Sequence, residues 1–128
     1  MENEIKVLII EDDKFLRDLL SKKLEKVGFS VDTADDGLSG FKKAQTGWPN
    51  IILLDLVLPG VDGFEAVSLL KKDPITNKIA IIILSNLNQQ EDIDKIKAMG
   101  VSDYLIKALH TPDEIVEKIK AVYHKKDG

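Results

Sequence analysis

Three short apolar runs constrain this chain more than any other feature, because each stops at a residue with chemistry to offer. Ile5 to Ile10 runs into Glu11, Asp12 and Asp13, Ile51 to Leu54 stops at Asp55, and Ile79 to Leu84 stops at Ser85. Runs this short, rich in β-branched residues, suit strands buried on both faces, as the central strands of a parallel sheet are. Two further segments fit the sheet edges: Phe29 to Thr33 alternates apolar with polar, and Tyr104 to Ile106 is a shorter run that stops at Lys107.

Between these segments the apolar period lengthens to that of a helix. Leu16, Leu19, Leu20, Leu24 and Val27 fall on one stripe that Gly28 ends. Weaker stripes pass through Leu38 and Phe41, through Phe64, Val67 and Leu70, and through Ile93, Ile96 and Met99 with a stop at Gly100. The last helix is the best marked. Thr111-Pro112-Asp113-Glu114 supplies a cap, a proline at the first helical position and the glutamate of a capping box, ahead of Ile115, Val116, Ile119 and Val122. Five strands alternating with five helices predict an α/β fold with right-handed crossovers and helices on both faces of a parallel sheet.

The chain has 128 residues, enough for one domain that buries most of its unfolded surface without disulfides. We expect that domain over 1–124 and a polar tail that frays over 125–128. A net charge of −4 and scattered lysines make no basic stripe, so direct nucleic-acid binding is not expected. No apolar run is long enough for a signal peptide or a membrane span, which makes the cytoplasm the expected location and no membrane partner expected. The absence of cysteine excludes thiolate metal sites and a disulfide framework.

In an open α/β sheet, ligands bind beyond the carboxyl ends of the strands, where strand order reverses. With the first and third strands as neighbours, Glu11, Asp12 and Asp55 would crowd one crevice, and close carboxylates cannot all stay ionised without a counter-charge. A hard divalent cation resolves the conflict. Mg²⁺ takes oxygen ligands and keeps several waters, so one or two carboxylates plus a phosphate oxygen suit it.

Four segments taken together resemble one family: Val7-Leu8-Ile9-Ile10-Glu11-Asp12-Asp13, Ile52 to Gly63 around Asp55, Leu84-Ser85, and Asp103-Tyr104-Leu105-Ile106-Lys107. Their order and spacing, each at a strand end, are similar to those of the receiver domain of two-component response regulators, over essentially the whole chain. The resemblance implies a flavodoxin-like (βα)5 three-layer sandwich with sheet order 2-1-3-4-5. It implies that Asp55 is the phosphoacceptor and that Mg²⁺ is held by Asp12, Glu11, Asp55 and the backbone carbonyl of Val57. Lys107 would pair with Asp55 and with the phosphoryl group, Ser85 would donate its hydroxyl to that group, and Tyr104 would be an aromatic switch that turns inward. Asp13, just ahead of a helix, fits a capping role instead.

The chain also departs from the family pattern. Ala108 follows Lys107 where most receivers have a cis proline, and the loop to Thr111 is one residue longer. A cis bond before alanine costs about 2.5 to 4 kcal/mol, so a trans peptide that re-aims the lysine is expected. Asn86 replaces a small residue and is expected to narrow access to the acyl phosphate. Val57 and Leu87 stand where the family tunes hydrolysis of the phosphate; being apolar, they cannot orient water, so slow self-dephosphorylation is expected.

The function implied is a switch that takes phosphate from a histidine kinase or phosphotransfer protein and passes the signal to an effector, rather than a turnover enzyme. The first-helix face near Lys14, Phe15 and Arg17 would meet the kinase. The fourth helix, fifth strand and last helix would carry output, with a homodimer through the last-helix face open. Three other readings stand beside it: a pseudo-receiver that only binds partners, a Mg²⁺-dependent aspartyl phosphatase, and a flavin carrier of the same topology. The phosphatase wants a second acid where Val57 stands, and the flavin carrier wants a phosphate loop after the first strand.

Overall fold

A computed structural model describes residues 5–127, with side chains described as far as His124. Elements alternate along the chain: β1 (Lys6–Ile10), α1 (Lys14–Lys26), β2 (Ser30–Ala34), α2 (Gly37–Gly47), β3 (Ile51–Leu54), α3 (Gly63–Lys72), β4 (Ala80–Ser85), α4 (Gln90–Ala98), β5 (Asp103–Ile106) and α5 (Pro112–Asp127). A single 3-10 turn, Lys107–Leu109, stands between β5 and α5. All strand pairs are parallel, in the order β2-β1-β3-β4-β5. This is the flavodoxin-like three-layer sandwich that the family resemblance implies.

Alternation along the central strands divides the core in two. Val7, Ile9, Ile51, Leu53, Ile82 and Leu84 meet α1 and α5 through Leu20, Leu24, Ile115, Val116 and Ile119. On the other face, Leu8, Ile10, Ile52, Leu54, Ile81 and Ile83 meet α2, α3 and α4 through Ala44, Ala66, Val67, Leu70 and Ile96. Strands covered on both faces have no polar alternation, which explains their unbroken apolar runs.

Helix starts follow local chemistry. Asp13, Asp36 and Asp62 cap α1, α2 and α3 by accepting the backbone N–H of Leu16, Ser39 and Glu65. At α5 the expected capping box is complete: Thr111 N–H donates to Glu114 Oε1 at 2.8 Å, and Glu114 N–H donates to Thr111 Oγ1 at 3.1 Å.

Several expectations are corrected. Strands β1, β2, β4 and β5 each begin one residue from where the apolar pattern starts, at Lys6, Ser30, Ala80 and Asp103. Val27 and Leu38, read as inward members of their stripes, are exposed. Val27 is the residue where α1 stops, and the inner face of α2 is made instead of Gly37, Gly40 and Ala44. The tail 125–128, expected to fray, continues α5 to Asp127, while its side chains and Gly128 lie outside the described residues.

Candidate functional site

The site is built where β1 and β3 end side by side. Register pairs Ile10 with Leu54, and the next backbone N–H, that of Asp55, still donates to Ile10 O at 3.1 Å. Glu11 and Asp55 therefore leave adjacent strands at one level. Both are almost fully buried, at 3% and 5% exposure, whereas Asp12 is exposed. One carboxylate oxygen from each of Glu11, Asp12 and Asp55 lies within 4.8 Å of the others. Three oxygen donors this close, one of them open to solvent, fit a hard divalent cation that keeps water ligands.

The buried pair has a counter-charge within the chain. Lys107 Nζ stands 2.8 Å from Asp55 Oδ2 and 2.8 Å from Glu11 Oε1. The sequence resemblance anticipates the first contact; the second comes from the shared height of the β1 and β3 ends. Burial, the largest influence on Glu11, raises its pKa, and Asp55 adds to that, while the Lys107 contact and the Asp13 N–H oppose them; the net direction is up. For Lys107, burial pulls the pKa down, but the carboxylates of Asp55 and Glu11 together outweigh it and the net direction is also up.

Neighbouring backbone fixes the rest of the acidic group. Asp55 Oδ1 accepts the Val57 N–H at 3.1 Å, and Glu11 Oε2 accepts the Asp13 N–H at 3.0 Å. Arg17 Nη1 donates to the Glu11 carbonyl at 2.8 Å, a link that sequence reading missed because it joins the first helix to the loop before it. The loop after Asp55 then turns sharply. Gly60 has φ of +71°, and a side chain on Gly63 would begin 2.7 Å from the Asp55 carbonyl, so the start of α3 presses against the exit of β3.

Across the rim, at the ends of β4 and β5, the groups other than Lys107 are neutral. Ser85 is fully buried and its Oγ accepts the Leu87 N–H at 3.3 Å, a turn-forming bond. Tyr104 is half-buried and its hydroxyl donates to the Leu87 carbonyl at 2.6 Å. Burial first, then the negative charges of Asp92 and Asp55, push the Tyr104 pKa up. Asn86 Oδ1 accepts the Ala108 N–H at 3.1 Å. No cis peptide occurs among the described residues, so the Lys107–Ala108 bond is trans, and Lys107 reaches Asp55 from the 3-10 turn. Val57 is 58% exposed at the rim and Leu87 is half-buried.

A doubly wound sheet with a carboxylate cluster and one lysine at its switch point defines a class of domain, and comparison identifies it. Residues 7–120 match the family model described as the response regulator receiver domain, and the chain belongs to that family. It is 36% identical over 122 residues to the DNA-binding dual master transcriptional regulator RpaA of Synechocystis, covering 95% of this chain and 50% of that protein. The chain spans about half the length of the curated relatives it matches. Among solved structures it is similar to the Vibrio cholerae chemotaxis protein CheY4, at TM-score 0.86 and 28% identity over 93% of this chain and 98% of that one. It is also similar to the Mn²⁺-bound form of response regulator Rcp1, at TM-score 0.79 and 27% identity over 93% of this chain and 94% of that one. The relatives are regulators and receivers rather than conventional enzymes. No helix among the described residues is long and apolar enough to cross a membrane.

Proposed function

We propose that this receiver domain is a Mg²⁺-dependent phosphoacceptor and that Asp55 takes the phosphoryl group. The observation that carries this reading is the convergence of Glu11, Asp12 and Asp55 with Lys107 at one rim. A carboxylate oxygen of Asp55 attacks phosphorus, a new oxygen–phosphorus bond forms, and the bond from phosphorus to the donor's leaving atom breaks. The leaving group departs with the electrons of that bond and takes its proton from water. Lys107, already 2.8 Å from Asp55, supplies positive charge where the phosphoryl oxygens gather.

Asp12, Glu11, Asp55 and the Val57 carbonyl would hold the metal ion, which when bound would offset negative charge on the carboxylates and the phosphoryl group. Ser85 would exchange its bond with the Leu87 N–H for one to a phosphoryl oxygen, and Tyr104, tied to the Leu87 carbonyl, would follow that loop. Two readouts of one event would then share a single residue, Leu87.

The donor would be a histidine kinase or phosphotransfer protein meeting the rim beside Phe15, which is 78% exposed in the first turn of α1. The face formed by α4, β5 and α5 would carry output to an effector or a second copy of the chain. With Val57 and Leu87 offering no side-chain group to align water, the acyl phosphate would hydrolyse slowly, and Val57→Asn would shorten its life.

Beryllofluoride with Mg²⁺, a mimic of the bound phosphoryl group, tests the assignment. The reading expects a stoichiometric complex seen by fluorine NMR and lost in Asp55→Ala. A complex that survives that substitution would refute it, and no complex at all would favour the pseudo-receiver.

A further inference from the structure

We propose that Asn86 is a positioning residue for Lys107: its side-chain oxygen grips the Lys107–Ala108 peptide and thereby aims the ammonium group at the acidic cluster. The proposal rests on the phosphoacceptor reading of that cluster.

The argument starts from backbone groups. Register pairs Ser85 with Ile106, the last residues of β4 and β5, so Asn86 and Lys107 are the first pair beyond the ladder. There the strands part, and a backbone N–H in an exposed turn would ordinarily turn to water. The Ala108 N–H instead donates to Asn86 Oδ1 at 3.1 Å, across 22 positions of sequence. The carbonyl of the same peptide unit, that of Lys107, accepts the His110 N–H at 3.4 Å. Both ends of the peptide from which the lysine side chain departs are thus held, one of them by Asn86. This bond exists because residue 108 keeps its N–H, which a proline would lack.

Asn86 is also covalently next to Ser85, whose hydroxyl holds the Leu87 N–H. A shift of Ser85 toward a phosphoryl oxygen would therefore carry Asn86 with it and act on the peptide behind Lys107. On this account Asn86 does not shade the site; its amide oxygen faces the neighbouring loop and sets where the cation stands.

A double-mutant cycle separates positioning from shading. Beryllofluoride affinity at saturating Mg²⁺ is measured by NMR for wild type, Asn86→Ala, Lys107→Ala and the double variant, with amide hydrogen exchange at Ala108 followed in parallel. Asn86 is exposed, so its replacement leaves the core intact, which a thermal melt verifies. We expect Asn86→Ala to weaken beryllofluoride about fivefold and to speed exchange at Ala108 about tenfold, the scale of one net hydrogen bond. In the Lys107→Ala background the same substitution should change affinity less than about twofold, because there is no ammonium left to aim. An Asn86 effect that persists without the lysine would overturn the proposal, as would unchanged affinity or unchanged Ala108 exchange. Wild type that binds no beryllofluoride would sink the phosphoacceptor reading and this one together, whereas normal binding in both wild type and Asn86→Ala would sink this one alone.

Discussion

The two halves of the strand-end rim are held by different forces. At the ends of β1 and β3 the groups are charged, and the buried Glu11 and Asp55 both pair with Lys107. At the ends of β4 and β5, Lys107 apart, they are neutral: Ser85 accepts a bond within its own turn, while Asn86 and Tyr104 bond across to neighbouring loops. Three carboxylates against the Lys107 ammonium and the Arg17 guanidinium leave the first half short of positive charge, which is what a bound cation would correct. Neutral hydrogen bonds exchange at little net cost, so the second half can follow. On the proposed function, chemistry and response would be separated within one rim and Lys107 would belong to both: its backbone follows β5 while its ammonium group contacts Glu11 and Asp55.

The largest expected effect breaks the charged half outright. Asp55→Asn should abolish phosphoryl transfer from acetyl phosphate, read by intact mass, while circular dichroism shows the fold retained. Asp12→Ala should lower Mg²⁺ affinity about tenfold or more, measured by NMR titration, because it removes the ligand most open to solvent.

Lys107→Ala tests whether the charged half depends on its internal cation. In EDTA it should cost about 2 to 3 kcal/mol in urea unfolding, at or just below the usual range for a broken buried pair because the lysine keeps some contact with water. Added Mg²⁺ should recover much of that loss by supplying the missing charge. An equal loss with and without Mg²⁺ would show that the lysine matters only for packing.

Glu11 gives the comparison a pH dependence. Its folded pKa lies above the ordinary 4.5, so between those values the folded protein binds a proton that the unfolded chain has released. Its contribution to stability is present below 4.5 and is lost as pH rises through the folded value. In EDTA, the stability of wild type relative to Glu11→Gln should therefore fall with rising pH across that window, as urea unfolding at each pH would show.

The smallest effect belongs to the neutral half. Tyr104→Phe deletes one hydroxyl bond to Leu87 and should cost about 1 kcal/mol of stability. Phosphorylation of Asp55 should proceed at a rate within about twofold of wild type, since the deleted hydroxyl bonds to the Leu87 carbonyl and not to a carboxylate or to Lys107. A larger loss of transfer would mean that the two halves are not separable.

Much of this was legible in sequence because it is local or periodic. The central strands declare themselves by unbroken apolar runs, and the α5 start is written in Thr111 and Glu114, whose reciprocal bonds need only four consecutive residues. On α2 Phe41 packs against the core as read, but Leu38 was misplaced because the other inward positions are glycine and alanine, which leave only a weak hydrophobic stripe. The residues that converge at the rim were named from the family resemblance, yet the second partner of Lys107 was not, since the Glu11 contact depends on how two strands end at one height. The Asn86 bond to Ala108 was equally hidden: it joins a side chain to a backbone N–H 22 positions away, and sequence pattern carries no signal for a pairing at that distance.

The central claim is a metal-dependent transfer to one carboxylate, and peptide mass mapping after brief exposure to acetyl phosphate addresses it most directly. With Mg²⁺ the phosphoryl group should map to Asp55, and with EDTA in its place no modified peptide should appear. A phosphoryl group on any other residue, or equal labelling of Asp55 without a divalent ion, would contradict the account.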